Sequence, residues 1–225
     1  METRKLFTEG LKLLRHEILA MAVRVEENLG KALAALQNRD SALADEVCSA
    51  DREVDALQIK IEDDAAMLIA TQQPVARDLR EMVTIFKITG NIERMGDHAV
   101  HLARAAKRLA KKGESPFSVF AAAVQHLEKM AQTGQLMIRA AISAFMEQDV
   151  GAAREAAAMD KKIDAEHKAL TENILKVMKK NPDMVKGAYK ILHASGQLER
   201  LGDHITNICE AVVYMTEGKH EEFNE

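Results

Sequence analysis

The chain has 225 residues, of which 47% are hydrophobic, and a formal net charge of −4. That is enough apolar material for packed cores, and the slightly acidic balance lacks the electrostatic footprint of a protein that binds nucleic acid directly. There is no Trp, aromatic residues make up only 4%, there are just 3 Pro, and no stretch is apolar for the ~18 residues a membrane span needs, so the expectation is a helical, cytoplasmic protein without a transmembrane segment.

In chain order, a first helix is predicted over residues 5–37, where Leu11, Leu14, Ile18, Met21, Val25 and Leu29 recur at three- and four-residue steps. Asn38-Arg39-Asp40 makes the turn, and Asp40 or Ser41 caps a second helix over residues 41–71 that carries Val47, Val54, Leu57 and Ile61. Pro74 ends it, because the residue before a proline is driven out of the helical region. Pro74 also suits the first turn of a third helix, residues 75–112, which closes at Gly113 after a basic run. Ser115 and Pro116 open a fourth helix to about residue 148, with Phe120, Val124, Leu127, Ile138 and Phe145 on its stripe. A fifth is predicted without interruption over residues 150–180, then Asn181-Pro182-Asp183 repeats the proline break before a sixth that Gly218 stops. The last residues, 219–225, read as a frayed end. Cys48 and Cys209 lack any Cys-x-x-Cys spacing and read as small apolar residues in a reducing compartment.

One stretch occurs twice. Gly90-Asn91-Ile92-Glu93-Arg94-Met95-Gly96-Asp97-His98 returns 106 positions later as Gly196-Gln197-Leu198-Glu199-Arg200-Leu201-Gly202-Asp203-His204, with six of nine residues identical. The repeat predicts an all-α protein of two tandem antiparallel three-helix bundles, residues 1–113 and 114–225.

Each copy holds a carboxylate pair at i and i+4, Glu93 with Asp97 and Glu199 with Asp203. Such like-charged neighbours destabilise a helix unless a cation offsets them. Counting ~100° per residue puts these pairs away from the apolar stripe, on a surface or groove. The middle helices supply matching pairs, Asp51 with Asp55 and Asp160 with Asp164. Asp55 lies 19 residues before Pro74 and Glu93 lies 19 after it; Asp164 lies 18 before Pro182 and Glu199 lies 17 after. In antiparallel neighbours joined at the proline the pairs therefore come level, and four carboxylates converge in each bundle. All-oxygen sets of this kind suit hard or borderline cations, iron, manganese, magnesium or calcium, with His101 or Asn207 as added donors. The same angles turn His98 and His204 away from the carboxylates, towards capping or interhelix hydrogen bonds. Gly96 and Gly202 permit close approach of a neighbouring helix or ligand, or a local kink. The alternative for the acidic pairs is salt bridging by Arg52, Arg94, Arg104, Lys161 and Arg200.

Gln73-Pro74-Val75-Ala76-Arg77-Asp78-Leu79-Arg80 together with the two Glu-Arg-x-Gly-Asp-His motifs resembles the PhoU family over nearly the whole chain. The resemblance implies two three-helix bundles and a non-enzymatic negative regulator of phosphate uptake and of the phosphate-starvation response. It implies as partners the ATP-binding subunit of the phosphate ABC transporter and a membrane sensor histidine kinase, and a homodimer. It also implies multinuclear metal clusters, iron or zinc, on Asp51, Asp55, Glu93, Asp97, Asp160, Asp164, Glu199 and Asp203. The chain departs from the family's pattern at Asn91 and Gln197, where an acidic residue is common, and at His101, where Asn is common. Two further readings stay open: a carboxylate-bridged di-iron enzyme or metal-storage bundle, which wants inward-facing Glu and Glu-x-x-His motifs, and a helical scaffold without metal. Glu217 with His220 is the one such motif, and Asp164 with His167 is a variant of it.

Overall fold

The apolar stripes settle into long helices, seen here in a computed structural model that describes residues 2–110 and 117–223. The first half contains α1 (Glu2–Asn38), α2 (Ser41–Gln72) and α3 (Ala76–Ala110). The second contains α4 (Ala121–Glu147), α5 (Val150–Ala158), α6 (Asp160–Lys180) and α7 (Val185–Glu217), with 3-10 turns at Phe117–Phe120 and Pro182–Met184. Among the described residues there is no strand. The predicted boundary at residues 113 and 114, the Gly113 stop and the Ser115-Pro116 cap lie outside the described residues.

Local chemistry sets the turns. Asp40 accepts hydrogen bonds from the backbone N–H groups of Ala42 and Leu43 at 2.9 and 3.0 Å, and Asp149 accepts one from Ala152 at 3.0 Å. Each cap satisfies donors that the first helical turn leaves unpaired and contributes ~1 kcal/mol. Gln73 closes α2 in the left-handed region, and Pro74 and Val75 form the link, so Pro74 precedes α3 rather than entering it.

Two expectations are corrected. The fifth helix is broken at Met159: its N–H bonds back to Ala156, and its carbonyl accepts from Lys162, both three residues away, a local tightening that separates α5 from α6. This sets Asp160 at the first position of α6. Residues 219–223 are docked rather than frayed, held by contacts described below.

α3 packs on α1, α2 and α7, and α7 packs on α4, α5 and α6. Contacts between Asn91 and His204 and between His98 and Gln197 show α3 and α7 running antiparallel, with equivalent positions of the two repeats exchanged across their interface. α1 meets α4 in the same sense, through Glu26 and Arg139. Ile18, Met21, Val25 and Leu29 on α1, Val54 and Ile61 on α2, and Ile85, Ile88 and Ile92 on α3 have no exposed surface. They join Leu127, Phe145, Ile163, Ile174, Leu201 and Ile205 of the second half in one uninterrupted apolar core. Burying each such side chain is worth ~1.5–3 kcal/mol.

Candidate functional site

With the stripes turned inward, the acidic pairs of neighbouring helices come together at the edge of each bundle. In the first half, Asp51 is half-buried and its carboxyl is pushed up to about 6, first by burial and then by the charges of Asp55 and Asp97, against the opposing pull of Arg104. Glu93 is raised by burial and by Asp97, Asp55 and Asp51. The mutual influence identifies the four carboxylates as one group, level as the proline arithmetic predicts. The salt-bridge alternative is partly realised here: Arg94 lies 3.5 Å from Glu93 and 3.3 Å from Asp97. That pairing is exposed and weak.

The second half repeats the arrangement with deeper burial. Asp160, Asp164, Glu199 and Asp203 line one cleft of about 470 Å³ together with Arg154, Lys161 and Phe223. Asp160 is only 8% exposed. Its carboxyl is pushed up to about 7, by burial first and then by Asp164, Asp203 and Glu199. Glu199 is raised by burial and by Asp203 and Asp164, with His167 opposing, and Asp203 by burial and Asp164. Among the described residues no cation lies within salt-bridge distance of Asp160, Asp164, Glu199 or Asp203, unlike the first cluster.

The motif glycines explain how the inner aspartates get so close. A Cβ at Gly96 would stand 3.0 Å from Asp51 Oδ1, and one at Gly202 only 2.1 Å from Asp160 Oδ1. At Gly90 and Gly196 a Cβ would meet nothing within 4 Å. Gly96 and Gly202 therefore serve close approach, of the middle helix's inner aspartate to the motif helix.

The motif histidines do turn away from the carboxylates, and they knit the repeats together. His98 donates Nδ1–H to Gln197 Oε1 at 2.8 Å, and His204 donates to Asn91 Oδ1 at 2.9 Å. Their rings stack with centroids 5.3 Å apart. Burial lowers both, His204 to about 4 with help from His98, Arg94 and Arg200, so they are neutral at physiological pH. Asn91 and Gln197, the two departures from the family's acidic pattern, are thus the amide acceptors of this crossed pair. His101 stands beside His98 and His193, and Asn207 donates to Asn91 at 3.3 Å, so both belong to the interface between repeats. The residue that sequence reasoning underused is His167, three positions after Asp164. It opposes the rise at Glu199, and its Nδ1 lies 2.6 Å from Ser195 Oγ. Glu217 of the Glu-x-x-His motif pairs with Arg154 and Lys219 at the end of α7, away from any four-helix interior. Cys209 is buried and its thiol pushed up to about 12, which fits the inert reading.

The donor chemistry of these residues suits a hard or borderline cation. Each half offers four carboxylates, those of the second half lining one cleft, and Asp160 Oδ1 is buried without a hydrogen-bond partner. Among the described residues no three His, Cys, Asp or Glu side chains are drawn together as a metal ion would need.

The PhoU domain model matches residues 18–106 and again 127–212. The phosphate-specific transport system accessory protein PhoU homolog of Clostridium acetobutylicum is 34% identical over 99% of this chain and 100% of its own. The crystal structure of PhoU from Pseudomonas aeruginosa superposes with a TM-score of 0.88 at 32% identity, covering 95% of this chain and all of that one. That of the phosphate transport system regulatory protein PhoU from Streptococcus pneumoniae gives 0.87 at 30% identity, over 96% and 99%.

Proposed function

This chain belongs to the PhoU family, and from that premise we propose that it restrains phosphate uptake and the phosphate-starvation response through metal-bearing helical bundles. It is an accessory protein of phosphate transport rather than an enzyme. In this reading it works in the cytoplasm as a homodimer, linking the ATP-binding subunit of the phosphate ABC transporter to a membrane sensor histidine kinase. No helix among the described residues is long and apolar enough to cross a membrane.

The observation that carries the metal part of the reading is the paired, repeated carboxylate set with its buried, unpartnered Asp160 oxygen. Asp51, Asp55, Glu93 and Asp97 would hold one cluster, and Asp160, Asp164, Glu199 and Asp203 the other. Iron or zinc, in multinuclear form, is what the family resemblance implies and is proposed on that ground; carboxylates bridge readily, and other divalent cations suit the same oxygen donors. Bound ions would neutralise each acidic group and fix the helices around it.

Two measurements test this. Metal analysis of protein purified without chelator or tag-derived metal is expected to find several ions per chain, lost when Glu93, Asp97, Glu199 and Asp203 become Ala. Deleting the gene is expected to release phosphate-starvation genes in phosphate-rich medium. Unchanged expression there would overturn the regulatory role, and metal-free wild-type protein would overturn the clusters.

A further inference from the structure

The end of α7 does not leave the molecule. Gly218, with φ of +72°, turns the chain back, and the next five residues are fastened at three points. The His220 ring stacks on Tyr214 with centroids 4.6 Å apart. Glu221 receives a two-pronged pair of hydrogen bonds from Arg154, Nη2 at 2.6 Å and Nε at 3.0 Å. The Phe223 N–H donates to Glu210 Oε1 at 2.8 Å, and its side chain is half-buried against the core. Phe223 and Arg154 both line the cleft that holds Asp160, Asp164, Glu199 and Asp203.

We propose that residues 218–223 form a strap over the second acidic cleft, with Arg154–Glu221 as its clasp, so that the strap governs how fast a divalent cation enters and leaves that cluster. The proposal rests on the reading of the second carboxylate group as a cation site. An aromatic side chain at the rim excludes water and narrows the path by which a hydrated ion or a chelator approaches. Arg154 stands where it would repel an entering cation if freed, and Glu221 neutralises it while the strap is down. Glu217, 3.7 Å from Arg154, adds a second anchor on the fixed end of α7. The geometry thus couples cation exchange to anything that captures or releases the C-terminal segment.

The test uses full-length protein with Glu93→Ala and Asp97→Ala, which confines bound zinc to the second cluster. Zinc release to a chromogenic chelator is timed in this background and after adding Glu221→Ala, Phe223→Ala, or the charge exchange Arg154→Glu with Glu221→Arg. Glu221→Ala is expected to speed release about fivefold, the scale of one bidentate exposed pair, and Phe223→Ala, which opens the rim, to speed it as well. The charge exchange is expected to restore slow release. Circular dichroism checks that each variant keeps its helix content, and the charge exchange separates a lost clasp from a lost fold. Release rates unchanged in both single variants, with zinc still bound, would overturn the strap and leave the cation site standing. A background protein that binds no zinc, while the unsubstituted chain does, would remove the second site and the strap together.

Discussion

Replacing Gly202 by Ala probes the joint between the motif helix and the inner aspartate. On helix propensity alone the change stabilises by ~1 kcal/mol, as any Gly→Ala in a helix interior does. The added methyl, however, would stand 2.1 Å from Asp160 Oδ1, 3.2 Å from its Cγ and 3.3 Å from Ile163 Cδ1. Relief requires Asp160 to turn about χ1 or α6 to move outward, and overpacking of this kind costs ~1–3 kcal/mol. Gly196→Ala is the control, six residues earlier on α7 with no neighbour within 4 Å, and it keeps the whole propensity gain. The expected result in urea unfolding is Gly196→Ala more stable than wild type by ~0.5–1 kcal/mol. Gly202→Ala should lie ~2 kcal/mol below that control, with reduced metal content in the second cluster. In the first half, Gly96→Ala meets Asp51 at 3.0 Å and should fall between the two. Gly202→Ala matching Gly196→Ala in both stability and metal content would refute the close-approach argument.

The pH dependence of chelator-treated protein follows from Asp160 and Asp51, which titrate at about 7 and about 6 when folded. Because the folded state holds these protons more tightly than the unfolded chain, stability falls as pH rises from 5 to 8. The fall should be ~2 kcal/mol after solvent screening, smaller in Asp160→Asn, and abolished by saturating metal; urea midpoints at the two pH values check it. Arg15→Ala should cost ~3 kcal/mol, because it strands Glu81, 5% exposed, whose Oε1 now accepts from Arg15 Nε at 2.7 Å. Replacing both partners by apolar residues of like size should recover most of that loss in a double-mutant cycle. His98→Ala should cost ~1–3 kcal/mol, since buried Gln197 loses its donor, yet leave metal stoichiometry unchanged; loss of metal would make His98 a ligand and not a link between repeats.

What could be read from the sequence was whatever a helix writes periodically. The stripes through Val25, Val54 and Ile92 fix which faces are buried, and once faces are fixed, counting from Pro74 and Pro182 fixes the level of the carboxylates. Electrostatic coupling of Asp160 with Asp164, Asp203 and Glu199 agrees with that count. The break at Met159 left no such trace. It involves no Pro or Gly, only a one-residue change of hydrogen-bond pattern beside a buried aspartate. The strap was also invisible: Lys219 to Phe223 has no periodicity, and its fastenings to Arg154, Glu210 and Tyr214 come from residues placed only by tertiary structure.

Asn91 and Gln197 are the intermediate case, because the sequence held their signal and single-helix reasoning could not use it. Both are amides, both sit 106 positions apart, and each precedes by seven residues the histidine of its own motif. Their partners are the histidines of the opposite repeat, since α3 and α7 run antiparallel and Asn91 meets His204 as Gln197 meets His98. A neutral imidazole that donates from Nδ1 needs an oxygen acceptor, and an uncharged amide supplies one without placing a carboxylate between two acidic clusters. An acid at either position would instead draw a proton onto the facing histidine and add a buried ion pair, whose desolvation offsets much of its attraction. The amides therefore keep the interface between the repeats neutral, and the negative charge remains concentrated in the two carboxylate groups.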